Sequence, residues 1–375
     1  MGSVLLYLAV TAIVIGLAFL VNSDYRRQLN NFYVSREDRA KAVNRQELIN
    51  IACVSGIFIV LFVLSSLRSG IGNDYWVYRY KFLDIARGDT PTSYEMGFIA
   101  LVKLMQAIVG MDNYVPIFAV VAFLTMLFTL KGLYDTSDWF GMTVVLYMFN
   151  GFYFMSFSNI RYYLALGMVL YAMKYLFARR FVPFCFVIIC ASLFHMTALL
   201  VIPAYFVALY LKWGRKTWWL IPAACAGLFF GKYLIRKLVF IFYPFYEGDL
   251  MLDVQRFSWG NIAKCAAILI FALIFYRRII KGNEKAEFFF NLNLFALVLY
   301  TFASYVPEIT RVCYYFVIGQ IFLVPIVLMK IENVKLRRLC TAGISVAYFT
   351  YFLIFLKQGL NPVIQILPYF SWYFA

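Results

Sequence analysis

The chain contains long apolar runs that carry almost no charge. Residues 4–21, 57–67, 115–130 and 262–276 are examples, and Lys264 is the one charged residue within them. A helix of about 20 apolar residues crosses the hydrocarbon core of a bilayer. A membrane-spanning strand would alternate apolar and polar residues over about 10 positions, and these runs do not. Because lipid offers the backbone no hydrogen-bond partners, each crossing is expected to be a helix. The sequence therefore predicts an all-α, polytopic transmembrane bundle.

The basic residues of the chain are distributed between the apolar runs. The formal net charge is +16, which in a soluble protein would suggest a nucleic-acid partner. Here the basic residues stand in short clusters between the apolar runs, at 26–45, 179–180, 212–216, 277–285 and 330–338. Loops rich in Lys and Arg remain on the cytoplasmic side of a membrane. The pattern predicts a multi-pass membrane protein whose surroundings are the lipid bilayer, with no nucleic-acid partner.

Counting the apolar runs gives about twelve crossings with both termini outside. We place helices near 4–22, 48–67, 114–130, 139–157, 162–178, 181–194, 197–211, 217–231, 259–276, 288–306, 312–329 and 339–356. Residues 94–111 are predicted to form a re-entrant or interfacial helix. Residues 181–211 are predicted to form two short helices broken around His195. Since irregular backbone within a membrane requires surrounding protein or a water-filled cavity, we expect a cavity at His195.

No linker or internal repeat divides the chain, so residues 1–375 are predicted to form a single integral membrane domain. Outer loops are expected at 68–93 and 232–258, the latter partly as an amphipathic interfacial helix, and a cytoplasmic basic loop at 23–47. The first helix is expected to remain uncleaved, because no basic residue precedes it and no AxA-like site follows. The seven cysteines indicate no disulfide framework and no CxxC metal site, so no metal and no cofactor are expected.

Several costly charged residues interrupt or border the apolar runs. They are Arg68, Asp74, Glu95, Arg161, His195, Glu308 and Arg311. The crossing count places all of them on the outer side of the bilayer. The sequence therefore predicts one site, facing one compartment.

Each of these residues also has a simpler interpretation. Burying Arg161 without a partner would cost about 2.5–3.5 kcal/mol on the insertion scale, but an arginine can also anchor a helix at the interface. Glu95 and Glu308 could pair structurally with cations or act in acid–base chemistry. His195 is the only histidine, which excludes metal sites built from several histidines. Its simpler role is that of a turn residue at the interface.

Arginines, carboxylates and one histidine facing outward from an apolar wall suit a lipid-linked diphosphate. The planar guanidinium binds phosphate through two parallel hydrogen bonds and keeps its charge at any relevant pH. Arg68, Arg161 and Arg311 are the candidate diphosphate ligands. The candidate catalytic bases or sugar ligands are His195, Glu95, Asp74 and Glu308. Tyr75, Tyr78 and Tyr314 are candidate substrate-binding residues.

Short motifs also carry a family resemblance. They are Leu67-Arg68-Ser69-Gly70-Ile71-Gly72-Asn73-Asp74-Tyr75 with Tyr78 and Phe82, Tyr94-Glu95-Met96-Gly97-Phe98, Asn159-Ile160-Arg161 with Ala165, Ala191-Ser192-Leu193-Phe194-His195-Met196-Thr197-Ala198, Arg311 with Tyr314-Tyr315, and Pro368-Tyr369. In order and approximate spacing they resemble the EpsG family, from about residue 55 to the C-terminus. Asn73 departs from the family pattern, where a small hydroxyl residue such as Thr is expected.

The resemblance implies an activity similar to that of Wzy-type polysaccharide polymerases. Such a glycosyltransferase joins undecaprenyl-diphosphate-linked repeat units on the outer face of the bacterial cytoplasmic membrane, as in O-antigen or exopolysaccharide synthesis. Its partners would be the lipid-linked glycan donor and acceptor, with a chain-length regulator as a further candidate. The alternatives are a glycan ligase, a membrane acyltransferase that uses His195 as base, and a transporter of lipid-linked oligosaccharide. Product analysis separates the enzymes, and a transporter site is expected near the bilayer midplane.

Overall fold

The computed structural model describes residues 2–22, 45–89, 94–111, 113–214, 217–220, 222–223, 226, 230, 258–303, 307–362 and 364–372. Within these ranges the chain is helical and forms no β-strand, which confirms the predicted all-α class. The α-helices are α1 (Gly2–Leu20), α2 (Arg45–Ser66), α3 (Tyr75–Ala86), α4 (Met96–Val109), α5 (Val115–Thr136), α6 (Phe140–Phe149), α7 (Phe152–Met155), α8 (Ile160–Phe177), α9 (Phe181–Ser192), α10 (Val201–Tyr210), α11 (Trp259–Phe275), α12 (Glu284–Ala303), α13 (Pro307–Val317), α14 (Gln320–Met329) and α15 (Val334–Gln358). Short 3-10 helices occupy Met196–Leu200 and Thr217–Trp219, and a π-helix occupies Tyr276–Ile280.

Five stretches of the described chain are long and apolar enough to cross a membrane. They are Gly2–Leu20, Arg45–Ser66, Val115–Thr136, Thr310–Met329 and Val334–Gln358. Shorter apolar helices, such as α4 and α9, accompany them. The prediction of a helical membrane protein is confirmed. The number of about twelve crossings stays a prediction.

Helix α1 shows how these stretches divide between protein and lipid. Its buried residues include Tyr7, Val14 and Ala18, which recur at intervals of about one or two turns and so share one face. On the other side Leu5 and Ile13 are 64% and 53% exposed. A helix that buries one apolar face and exposes another apolar face to the surroundings suits a position at the edge of a bundle in lipid.

The helices form two compact units, one of Met1–Leu199 with Asn333–Ala375 and the other of Leu200–Glu332. In the first unit, α8 is almost entirely buried and packs closely on α5. Glycines allow this approach: a Cβ on Gly132 would lie 2.5 Å from the carbonyl carbon of Leu170, and one on Gly167 would lie 2.8 Å from Oγ1 of Thr129. Small residues at such contacts are the usual means of close helix packing in membranes. The packing fixes the start of α8, where Arg161 lies.

Some helix boundaries agree with the sequence within a few residues, and others differ. Helix α5 continues to Thr136, six residues beyond the predicted end at 130, and the helix expected over 312–329 is divided between Val317 and Gln320. The helix expected over 139–157 is divided after Phe149, where Gly151 has a φ of +74°. The predicted break around His195 is confirmed, because α9 ends at Ser192 and a 3-10 helix follows. Helix α3 lies within the predicted outer loop 68–93. Helix α4 falls within 94–111, and its re-entrant or interfacial position stays a prediction.

The two ends of the first unit differ in charge. At one end, where α8 begins and α2 ends, lie the predicted site residues of this unit. At the other end, Lys131 and Lys174 lie 2.9 and 3.5 Å from the carboxylate oxygens of Asp135. Lys174 is on the last turn of α8, just before Arg179 and Arg180. A basic end opposite the candidate site is what the cytoplasmic assignment of basic loops requires. The orientation itself stays a prediction.

The second unit is held by hydrogen bonds between helices. Gln320 donates to the side-chain oxygen of Asn293 at 2.7 Å, and Asn293 donates to the carbonyl of Cys265 at 3.0 Å. Such bonds between membrane helices satisfy polar groups that lipid cannot. The predicted basic loop 23–47 and outer loop 232–258 fall mainly outside the described residues, and so does about half of the expected helix 217–231. The single-domain organisation stays a prediction.

Candidate active site

Glu95 joins three elements of the first unit through its carboxylate. Oε1 accepts the backbone N–H of Met196 at 3.0 Å, and Oε2 accepts a hydrogen bond from Nη1 of Arg161. The Arg161 and Glu95 side chains are 15% and 21% exposed. The pair thus lies at the first turn of α8, just before α4, and at the break that follows α9. The ion pair at this helix break is therefore only partly buried.

Backbone contacts explain why Glu95 reaches this position. It precedes α4 with extended backbone, and the next amides, Gly97 N and Phe98 N, donate to the carbonyl of Leu193 at 3.0 and 3.3 Å. The N-terminus of α4 therefore caps the C-terminus of α9 directly. A Cβ on Gly97 would lie 2.6 Å from Cβ and 2.8 Å from the oxygen of Leu193, so this contact requires glycine.

Arg161 is held by aromatic rings as well as by Glu95. Its guanidinium carbon lies 3.8 Å from the ring centroid of Tyr94 and 5.8 Å from that of Phe98. Arg161 also donates to the hydroxyl of Tyr78. Burial raises the pKa of Tyr78 and of Tyr94, and the positive charge of Arg161 partly opposes both shifts. Both tyrosines are therefore neutral at physiological pH, and the guanidinium is fixed in orientation.

Asp74 is the residue before α3 and Tyr75 is the first residue of that helix, but the two differ in surroundings. The negative charge of Asp74 contributes to the raised pKa of Tyr78 and Tyr94, and its backbone carbonyl accepts the amide of Tyr78 one turn later at 2.9 Å. Tyr75 is buried and stacks on Phe118, with ring centroids 4.6 Å apart and planes at 10°. The place of Asp74 in the site stays a prediction. The contacts of Tyr75 favour a packing role, and its predicted role in substrate binding also stays a prediction.

His195 lies at the break between α9 and the following 3-10 helix. It is 7% exposed, and its Nδ1 is 2.7 Å from Oγ1 of Thr197. The Tyr162 ring meets the imidazole edge-on, with centroids 5.2 Å apart. His195 therefore adjoins the Glu95 contact, since the next residue, Met196, donates its amide to Glu95. We call this set the Glu95 junction; it comprises Asp74, Tyr78, Tyr94, Glu95, Arg161, His195, Met196 and Thr197.

Arg68 has a different environment. It is 2% exposed, and its guanidinium donates to the carbonyl and hydroxyl of Ser65 and to the carbonyl of Phe157. Its guanidinium carbon also lies 5.4 Å from the ring centroid of Phe118. Burial lowers the pKa of Arg68 to about 10, so it remains charged at neutral pH. Its predicted role as a diphosphate ligand stays a prediction, while the contacts favour a structural role in joining the ends of α2 and α7.

The C-terminal segment covers the backbone beside Arg68. Ser69 N donates to Phe370 O at 2.9 Å, and Trp372 N donates to Leu67 O at 3.1 Å. Tyr369 donates its hydroxyl to a carbonyl of α2 at 3.0 Å. The Pro368-Tyr369 motif thus belongs to a segment that ties the chain end to the turn before α3.

Two cavities border this region. One is an apolar groove of about 670 Å³ between α1, α2 and residues 369–371. The other, of about 10 Å³, is lined in part by Ser65, Arg68, Thr125 and Ser156, and has room for about one water molecule. The expected cavity at His195 stays a prediction.

A family model for EpsG matches residues 51–371. The chain belongs to the EpsG family. No curated protein and no solved structure matches it. Membership places the chain among membrane proteins of the polysaccharide-polymerase type.

The EpsG motifs gain a physical meaning from the first unit. The Gly-Ile-Gly turn brings Gly72 so close to the turn after α7 that a Cβ would lie 2.3 Å from the oxygen of Phe157. Gly72 also has a φ of +96°, which strains any other residue. The motifs around Glu95, Arg161 and His195 meet in the Glu95 junction. Three segments distant in sequence thus form one cluster.

The remaining predicted residues lie in the second unit. Arg311 and Tyr314 are half-buried on α13. Glu308 lies on the same helix, but its side chain is outside the described residues. The shared site that would include Arg311, Glu308 and Tyr314 stays a prediction.

Sequence reasoning missed three contributors to the junction as site residues. Tyr94 stacks on Arg161, Met196 supplies a backbone donor, and Thr197 contacts His195. All three lie inside the motif segments, beside residues chosen for their charge. Because these side chains and the backbone amide are neutral, charge did not indicate them as site residues. Their position within the motifs was the available indication.

Proposed function

We propose that the chain is a polysaccharide polymerase that joins undecaprenyl-diphosphate-linked repeat units on the outer face of the bacterial cytoplasmic membrane. The donor would be the growing lipid-linked glycan, and the acceptor a single lipid-linked repeat unit. Membership of the EpsG family supports the reaction class. The separation of the basic end of the first unit from the Glu95 junction supports the orientation.

The reaction forms one glycosidic bond and breaks one. A hydroxyl oxygen of the acceptor sugar attacks the anomeric carbon of the donor, and the bond from that carbon to the diphosphate oxygen breaks. The undecaprenyl diphosphate leaves with the bonding electrons, while the hydroxyl proton passes to a base. Negative charge therefore develops on the leaving diphosphate, where a fixed cation lowers the barrier.

The observation that carries this proposal is the fixed, partly exposed Arg161. Glu95, Tyr78 and Tyr94 hold its guanidinium in one orientation, and 15% of the side chain remains exposed. A cation fixed before the reaction stabilises developing charge without reorganising during it. Arg161 is therefore our first choice for the diphosphate ligand.

The base is assigned by asking which carboxylate is already engaged in structural hydrogen bonds and which is not assigned to them. Each carboxylate oxygen of Glu95 accepts a hydrogen bond that joins two elements. We therefore assign Glu95 mainly to positioning Arg161 and the turn at His195. Asp74, whose backbone carbonyl accepts the amide of Tyr78 one turn later, is the carboxylate that we propose as the base.

The proposal is tested with purified protein in nanodiscs supplied with lipid-linked repeat units. Wild-type protein should give a ladder of products still attached to the lipid carrier. Arg161→Ala should lower the rate about 10²–10³-fold, the usual cost of removing one donor to a developing anion. Arg79→Ala is the matched control, because Arg79 on α3 also contacts aromatic rings, Trp76 and Tyr114, at 5.3 and 5.0 Å. It should retain activity.

Other products would contradict the proposal. Glycan transferred to lipid A or protein without a ladder would indicate a ligase. Movement of intact lipid-linked units across the membrane, with no new glycosidic bond, would indicate a transporter.

A further inference from the structure

The imidazole of His195 has a neutral partner close in sequence. Nδ1 lies 2.7 Å from Oγ1 of Thr197, which is hydrogen-bond distance. Either atom could supply the proton, since a threonine hydroxyl both donates and accepts, and a neutral imidazole has one N–H and one bare nitrogen. The direction of this bond decides which nitrogen of His195 carries hydrogen.

The backbone around this pair is held at three places. His195 N donates to Ala191 O at 3.1 Å, Met196 N donates to Glu95, and Ala198 N donates to His195 O at 3.0 Å. Thr197 is also β-branched, which restricts its χ1 rotamers. The hydroxyl and the ring therefore meet because the turn is fixed. The 2.7 Å distance between Nδ1 and Oγ1 is therefore better explained by the fixed turn than by a chance contact of two mobile side chains.

Hydroxyl protons in protein surroundings need an acceptor. Among the residues that the structure describes, His195 Nδ1 is the hydrogen-bond partner of the Thr197 hydroxyl. If Nδ1 carried a proton, Thr197 would accept that bond, and its own proton would need a second acceptor. Donation from Thr197 to a bare Nδ1 satisfies both groups with one bond.

We propose that Thr197 is a positioning residue: its hydroxyl donates to Nδ1 of His195 and holds the imidazole in the tautomer that carries hydrogen on Nε2. The neutral ring then presents an N–H donor at Nε2 and lacks a free lone pair on that atom. His195 would serve as a hydrogen-bond donor to a phosphate or sugar oxygen, in contrast to the base predicted from sequence. The use of this donor rests on the proposed function, whereas the tautomer itself does not.

The single histidine makes a direct test feasible. Full-length protein with ¹⁵N-labelled histidine, purified through a tag without histidine and placed in nanodiscs, yields imidazole signals from one residue. Long-range ¹⁵N–¹H correlations distinguish Nδ1 from Nε2 and show which nitrogen is protonated. The measurement is made at about pH 8.5, where an unperturbed imidazole is neutral.

Wild-type protein should show hydrogen on Nε2. Thr197→Val keeps the shape of the side chain and removes the hydroxyl. It should lower the ratio of the Nε2–H tautomer to the Nδ1–H tautomer about tenfold, the effect expected from one net hydrogen bond. Thr197→Ser restores a hydroxyl and should restore the wild-type ratio. A wild-type ring protonated on Nδ1 would overturn the proposal, and so would a Thr197→Val spectrum identical to wild type.

The activity assay separates this inference from the proposed function. If the protein is the polymerase, Thr197→Val should slow ladder formation and Thr197→Ser should recover most of the rate. If no variant or wild-type protein forms a ladder, the function fails while the tautomer result stands. If Thr197→Val does not fold, the wild-type and Thr197→Ser spectra still decide the direction of the bond.

Discussion

Replacing Arg161 with lysine tests whether the geometry of the cation matters beyond its charge. Arg161→Lys keeps the positive charge and most of the aliphatic stem. A lysine ammonium can still reach one oxygen of Glu95, but it has no planar face to lie 3.8 Å from the Tyr94 ring and no second N–H group directed at Tyr78. It also cannot bind a diphosphate through two parallel hydrogen bonds.

The size of the effect follows from these lost contacts. A hydrogen bond that involves a charged group contributes about 1.5–3 kcal/mol, and a partly exposed cation–π contact about 0.5–1 kcal/mol. Together the losses amount to about 2–4 kcal/mol. Because 1.36 kcal/mol corresponds to a tenfold change in rate, polymerisation should slow roughly 30- to 900-fold if the contacts act in the transition state.

The assay is the initial rate of ladder formation at matched amounts of folded protein in nanodiscs. Arg79→Lys is the control, since it makes the same exchange on α3 at an arginine that also contacts aromatic rings. A rate for Arg161→Lys within about threefold of the control would refute the reasoning, because an interfacial anchor needs only its charge. A fall in kcat with little change in KM would indicate a contact made in the transition state.

Two further predictions concern the fold. A membrane-impermeant thiol label applied outside intact cells should react with a cysteine introduced at Ser93, a residue outside the described ranges. It should not react with a cysteine introduced at Asn283. Labelling at Asn283 alone would reverse the assigned orientation. Gly97→Ala should lower the unfolding temperature and the polymerisation rate, because the added methyl group would lie 2.6 Å from Leu193, the residue after α9, and overpacking costs about 1–3 kcal/mol. Gly16→Ala, which meets nothing within 4 Å, is its control, and equal behaviour of the two variants would show that α4 and α9 are not in tight contact.

Helix positions were largely readable from the sequence because they depend on local properties. Apolar runs near 4–22, 48–67 and 339–356 correspond to α1, α2 and α15 within a few residues. The break around His195 was also predictable, since 31 apolar residues between two basic clusters are too many for one crossing and require a turn. Helix α3 was not predicted, because residues 75–86 mix charged, aromatic and apolar residues without a long apolar run.

The candidate site was predicted as a set of residues but not as an arrangement. Charge singled out Glu95, Arg161 and His195, and these three meet in the first unit. Charge also singled out Arg68, whose donors are directed to backbone carbonyls in a buried position. A buried structural arginine and a ligand-binding arginine look alike in sequence, because both stand at the border of an apolar run.

The sequence by itself determined that the chain is an α-helical membrane protein, roughly where its helices begin and end, and to which family its motifs belong. These properties follow from the cost of placing polar groups in lipid, which acts on each segment separately. Only the tertiary structure decided that Glu95 bridges Arg161 and Met196, that Tyr94 stacks on the guanidinium, and that Thr197 contacts His195. These contacts join segments that are up to 101 residues apart, and they depend on close approaches such as that of Gly97 to α9, which are set by packing in three dimensions.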